Sequence, residues 1–128
     1  MAIRCVVVTP ERTELDREAD FIALPMYDGE LGVQAGRAPM IGRLGYGVLR
    51  LQTTAGPQRF FVDGGFAQVE ADVVSVLTAR AIAVDLLNTD EATKSLAEAL
   101  ELPSDTPEQA QIKETAVHRA RGQLRASR

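Results

Sequence analysis

Residues 27–40 read Y-D-G-E-L-G-V-Q-A-G-R-A-P-M, and their turn chemistry decides the fold class. Asp28-Gly29 between apolar runs signals a hairpin, because tight hairpin turns place both central residues at positive φ and these residue types tolerate it. A short apolar step follows, Leu31 and Val33 around Gly32, then a second turn at Gly36 closed by Ala38-Pro39. The Pro39 ring holds Ala38 extended and removes a backbone donor, so this segment cannot lie inside a long central strand. The expectation is a protruding loop shaped by its backbone, with one acid, Glu30, near the tip. Such a loop suits docking better than catalysis.

On both sides of it the chain reads as short strands. Upstream, Ile3 to Val8 is a continuous apolar run ended by Thr9-Pro10, and Ala19 to Met26 is a second. Downstream, Tyr46 to Thr53 alternates, with Val48, Arg50 and Gln52 on one face and Leu49 and Leu51 on the other. Turns at Ala55-Gly56-Pro57, Asp63-Gly64-Gly65 and Ala71-Asp72 separate Gln58–Val62, Phe66–Glu70 and Val73–Ala79. No helical period occurs before residue 88, so parallel units built on crossover helices are not expected. The pattern predicts an antiparallel β-sandwich of two sheets over residues 1–87.

After Leu87 the period changes. Asn88-Thr89-Asp90-Glu91 has the layout of a capped helix start, and Ala92, Leu96, Ala99 and Leu100 fall on one helical face. Pro103 ends that helix. Thr106-Pro107-Glu108-Gln109 opens another, with a cap, a proline at the first helical position and Gln at the third. Its apolar stripe is Ala110, Val117, Ala120 and Leu124, flanked by Ile112 and Ala116. Residues 88–128 therefore read as a C-terminal α-helical hairpin. Alanine dominates both stripes, and a buried methyl stabilises far less than the ~1.5–3 kcal/mol of a buried Leu or Val. Gly122 inside the second helix costs roughly 1 kcal/mol more relative to alanine. The expectation is a mobile appendage on a rigid sandwich.

Composition excludes several function classes. The 128 residues are 45% apolar and 25% charged, ordinary values for a soluble globular chain. No apolar run approaches the roughly 18 residues that span a bilayer, and M-A-I-R-C lacks a signal-peptide layout, so a soluble cytoplasmic protein is expected. The net charge of −4 argues against a nucleic-acid surface. Charge is segregated, however: residues 88–112 sum to −5 and residues 113–128 to +4. Adjacent segments of opposite sign suit contact with each other or with a partner.

Catalytic, cofactor and metal sites are not expected. The lone cysteine, Cys5, sits in an apolar run and reads as a small hydrophobe. The lone histidine, His118, lies on a basic helix with no nucleophile at a telling spacing. Acids fall in turns (Asp28, Asp63, Asp72) or on helix faces. Gly42-x-x-Gly45-x-Gly47 is not followed by a helix and fails as a dinucleotide fingerprint; no P-loop pattern occurs.

With these segments in place the whole chain resembles the epsilon subunit of F-type ATP synthases. D-G-E-L-G-V at Asp28–Val33 followed by G-R-A-P-M at Gly36–Met40 resembles that family's G-E-L-G-I-x-P-G-H-x-P-L loop. D-G-G-F-A-Q-V at Asp63–Val69 resembles its G-G-F-x-E-V turn, and V-S-V-L-T-A-R-A at Val74–Ala81 its V-x-V-L-A-x-x-A strand. The resemblance implies a non-catalytic rotor subunit of the central stalk, peripheral on the cytoplasmic face of a bacterial inner membrane. Its sandwich would bind the gamma subunit. Its loop would rest on the membrane c-ring through Glu30, Leu31, Gly32, Arg37, Ala38 and Pro39, with the Gly64-Gly65-Phe66 turn serving the fold or the gamma side. Its hairpin would lie folded on the sandwich or extend along gamma toward the alpha and beta subunits and block ATP hydrolysis, with Arg119, Arg121 and Arg125 as the inhibitory residues. The chain departs from the family loop at Arg37, where histidine is usual, and at Ala35, where proline is usual. Some members bind ATP through I/L-D-x-x-R-A; here Thr93 stands in the arginine position and Lys94 in the alanine position, so no ATP site is expected. The rival from another class is a free-standing sandwich that binds a small ligand. Such modules present exposed aromatics, whereas aromatic content is 5% with no tryptophan.

Overall fold

The computed structural model describes residues 2–127. Ten strands form two five-stranded sheets, followed by two helices. Strands β1 (Ile3–Val8), β2 (Thr13–Ala19), β5 (Met40–Arg43), β8 (Phe66–Glu70) and β9 (Val73–Leu77) build the first sheet in the order β2-β1-β9-β8-β5. Strands β3 (Phe21–Met26), β4 (Gly29–Val33), β6 (Tyr46–Thr53), β7 (Gly56–Asp63) and β10 (Ala81–Ala83) build the second in the order β10-β7-β6-β3-β4. The expected β-sandwich is present, with one departure: β1 and β9 run parallel.

Alternation along the strands fills the space between the sheets. Ile3, Cys5 and Val7 of β1 and Val74 and Val76 of β9 meet Ile22 and Leu24 of β3 and Leu49 and Leu51 of β6 in one buried cluster. Burial pushes the Cys5 thiol up to about 12, so it carries no thiolate at neutral pH and behaves as core. Strand β2 is the element the sequence concealed. T-E-L-D-R-E-A turns only Leu15 and Ala19 inward, because an edge strand loaded with charge resists pairing with other chains. Arg4 on β1 holds the Asp16 carboxyl of β2 by a 2.8 Å hydrogen bond and keeps it below the usual carboxylate range.

One turn is displaced from expectation, and the turn expected at Ala71-Asp72 is present with an unusual backbone. In the β3–β4 hairpin Met26 pairs with Gly29, so the turn residues are Tyr27 and Asp28 rather than Asp28 and Gly29. Positive φ there is confined to Gly29, at 139°. The doubly left-handed turn lies instead between β8 and β9, where Ala71 (φ 52°) and Asp72 (φ 61°) bridge the Glu70–Val73 pair. This is the backbone of a type I′ hairpin, which favours Asn-Gly. Alanine is a poor occupant, since the left-handed region costs an L-residue roughly 1–2 kcal/mol. Ala71→Asn is therefore expected to stabilise the protein by about 0.5–1 kcal/mol, read as a higher Tm. An unchanged or lower Tm would count against the turn assignment.

The chain divides into a first compact unit ending at Ala83 and a second starting at Val84. The second begins with a 3-10 turn, Val84–Leu86, that packs against α2. Helix α1 (Thr89–Leu100) is capped by Asn88, whose side chain accepts from the amides of Asp90 and Glu91. Helix α2 (Pro107–Ser127) carries a reciprocal box: Thr106 Oγ1 accepts from the Gln109 amide, and Gln109 Oε1 accepts from the Thr106 amide. The helices pack together, and their buried positions are Ala92, Ala99, Ala120, Gly122 and Ala126. Thr89 Oγ1 at the start of α1 lies 3.1 Å from Ser127 Oγ at the end of α2. At 1.5 Å per residue α2 is about 31 Å long and α1 about 18 Å, so with those ends tied the first turns of α2 overrun its partner. Ala110, expected on the apolar stripe of α2, and Ile112 beside it are exposed as a result, and Leu100 at the end of α1 is exposed as well.

Candidate functional site

The β3–β4 hairpin and edge strand β5 enclose an open groove of about 650 Å³ lined by Met26, Tyr27, Glu30, Leu31, Arg37, Met40 and Arg43 among others. Sheet pairing fixes its walls. β4 hydrogen-bonds to β3, and the end of β3 reaches across to the other sheet through the Met26–Leu44 bridge and the Tyr27 amide to the Arg43 carbonyl, 2.9 Å. Met26, Leu31 and Met40 pack their inner sides on the sandwich core. The groove is thus a rigid notch with an apolar floor.

Of the six loop residues expected at a contact, the structure gathers three, Glu30, Leu31 and Arg37, around this groove. Gly32 and Arg37 also line a smaller hollow beside Phe21, Gln34, Ala35 and Gly36. The absence of a side chain at Gly32 leaves room for the Phe21 ring, which an added Cβ would meet at 3.0 Å. Ala38 and Pro39 are exposed in the connection between β4 and β5. Glu30 is not a bare acid at a tip: Arg50 Nη2, from β6, donates to its Oε1 at 2.7 Å. Both side chains are about half exposed, so the pair is worth ~0–1 kcal/mol and its chief effect is to orient Glu30. Arg37 is exposed, with one long contact from Nη1 to the Gly32 carbonyl, 3.4 Å.

The structure adds residues the sequence did not reveal. Arg43 stacks over the Tyr27 ring, 4.2 Å from its centroid, in a cation–π contact. Tyr27 is 62% and Ile41 73% exposed, so the rim presents apolar area beside two arginines. Strand register continues this apolar area onto the outer face of the first sheet. Arg43 pairs with Phe66, Phe66 with Leu77 and Leu77 with Val8, and both Phe66 and Leu77 are exposed. Period-two alternation could have flagged Phe66 and Leu77; nothing local links Arg43 to Tyr27.

On α2, Arg121 and Arg125 are exposed and one turn apart, in line with His118, which lies 3.8 Å from Glu114. Arg119 is half-buried and about 200° around the helix from Arg121. The three arginines do not form one face. Arg128 lies outside the described residues.

The description "ATP synthase, Delta/Epsilon chain, beta-sandwich domain" belongs to the family model that matches residues 2–84. The ATP synthase epsilon chain of Rhodopirellula baltica is 84% identical over 128 residues, covering all of both chains. That of a Nostoc species is 35% identical, over 99% of this chain and 97% of the relative. Among solved structures, a chain of the Euglena gracilis mitochondrial ATP synthase superposes with a TM-score of 0.87, covering 99% of this chain and 82% of that one. At 23% identity that likeness speaks for the fold. Matched from end to end by curated relatives and over its sandwich by the family model, the chain belongs to the ATP synthase epsilon chains.

Proposed function

We propose that the chain is a non-catalytic rotor subunit that couples the gamma subunit to the c-ring of an ion-driven ATP synthase, peripheral on the cytoplasmic face of a bacterial inner membrane. Family membership supports the assembly. The observation that carries the contact is the notch: a groove fixed by pairing to both sheets, rimmed by Arg37, Arg43, Tyr27 and Ile41. The c-ring's polar loops meet this rim. Gamma docks on the adjoining outer row of Phe66 and Leu77, which offers apolar area for a permanent contact. The hairpin restrains hydrolysis by transient contact with alpha and beta.

Torque passes through shape, so the decisive substitutions change the rim without disturbing the core. Arg37→Glu is suited to this, because its side chain makes only the one long contact to Gly32. It is expected to leave Tm unchanged while weakening stalk-to-ring binding about tenfold, the size of one lost interface anchor, and to lower ion-driven synthesis in vesicles. Glu30→Lys, which sets like charge against Arg50, should act in the same direction. Normal binding and synthesis in both variants would reject the ring contact.

A further inference from the structure

The connection that carries Arg37, residues 34–39, has no strand pairing of its own. It leaves β4 in one sheet and enters β5 in the other. Three hydrogen bonds tie it down among the described residues. The Arg37 amide to the Gln34 carbonyl is 3.3 Å, and Arg37 Nη1 to the Gly32 carbonyl is 3.4 Å, both at the long end for such bonds. The third is short: the Gly36 amide donates to Asp72 Oδ1 at 2.8 Å, to an ionised acceptor that makes it the strongest of the three.

Asp72 is well placed to act as an anchor. Its own carbonyl accepts from the Arg4 amide of β1 at 2.9 Å, so the residue is held by the first sheet. Turn chemistry admits aspartate at the second position of a doubly left-handed hairpin turn, although glycine is the favoured residue there. Aspartate tolerates φ 61° and adds a carboxylate that glycine lacks.

We propose that Asp72 is the positioning residue of the docking loop. Its carboxylate straps Gly36, and with it Arg37, to the sandwich, so that the rim meets its partner in one fixed orientation. This rests on the reading of the loop as the ring contact. The strap crosses from a turn of the first sheet to a loop leaving the second, and it stiffens a segment that would otherwise yield under torque.

Asp72→Gly removes the carboxylate at no steric cost at positive φ, and Asp72→Asn keeps an acceptor oxygen in the same place. In the isolated protein, Asp72→Gly is expected to speed hydrogen exchange of the Gly36 amide about tenfold with Tm close to wild type, and Asp72→Asn to restore slow exchange. In the assembled enzyme Asp72→Gly should lower ion-driven synthesis severalfold, with rescue by Asp72→Asn. Unchanged exchange at Gly36 overturns the proposal whatever happens to synthesis. Faster exchange with full synthesis overturns it too. In that case Arg37→Glu separates the two failures: reduced synthesis in Arg37→Glu leaves the ring contact standing, and normal synthesis removes both.

Discussion

Gly65→Ala is expected to destabilise the sandwich by about 2–6 kcal/mol. Gly65 sits where the chain leaves β7 and enters β8, with φ at 102°, and its carbonyl accepts from the Leu44 amide at 2.8 Å. An added Cβ would lie 1.9 Å from the Leu77 carbonyl oxygen and 2.9 Å from its carbon. These are backbone atoms of a paired strand, so no side chain can swing away to relieve the overlap. Backbone strain of ~1–3 kcal/mol adds to an overpacking penalty of ~1–3 kcal/mol, a large share of the 5–15 kcal/mol that holds a typical domain together. Gly56→Ala supplies the control. Gly56 has a similar φ of 111°, but nothing lies within 4 Å of its added Cβ, so it should show the strain alone. Chemical denaturation of both variants should give a loss at Gly65 larger than at Gly56 by at least about 1 kcal/mol. Equal losses would mean that the contact with Leu77 is not tight.

The same turn shows what a sequence can and cannot reveal. Local chemistry was legible. The Asn88 cap and the Thr106-Pro107-Gln109 box were readable because every partner lies within three residues. Strands with buried alternation, such as Tyr46–Thr53, announced themselves through Leu49 and Leu51. Strand β2 did not, because its edge position calls for charge where a central strand would show apolar residues. The β3–β4 turn was displaced by one residue because Gly29 takes positive φ at the start of a strand instead of inside the turn.

At the site, position was readable and partnership was not. The turn residues marked a protruding loop, and the motif order marked the family. The contacts that fix the loop join residues far apart in the chain: Arg50 with Glu30, Asp72 with Gly36, Arg43 with Tyr27. No spacing rule reaches that far, so Glu30 read as a free acid and Asp72 as a simple turn residue. The exposed Ala110 and Ile112 have a similar origin. Each helix shows a proper stripe, but which part of α2 is covered depends on where α1 ends.

Removing residues 88–128 is expected to raise ATP hydrolysis by the assembled enzyme about fivefold or more, the low end of coupling free energies between sites, while ion-driven synthesis stays largely intact. The hairpin has the build of a two-state element. Its fully buried positions are alanines and one glycine, and each buried methyl contributes only ~0.8 kcal/mol. The hydroxyl tie between Thr89 and Ser127 joins exposed groups, so water replaces it readily when the helices part. A small free-energy difference between packings lets a partner surface select one of them. Unchanged hydrolysis after truncation would reject the inhibitory role. Point variants locate the contact within α2. Arg121 and Arg125 share an exposed face, whereas Arg119 is half-buried and directed elsewhere. Replacing both Arg121 and Arg125 by Gln should reproduce much of the truncation effect, and Arg119→Gln should reproduce less. If Arg121 and Arg125 act by attraction to an acidic partner surface, wild-type restraint should weaken as salt rises, and that salt dependence should be lost in the double variant. A double variant with wild-type hydrolysis and wild-type salt dependence would move the inhibitory contact off this face.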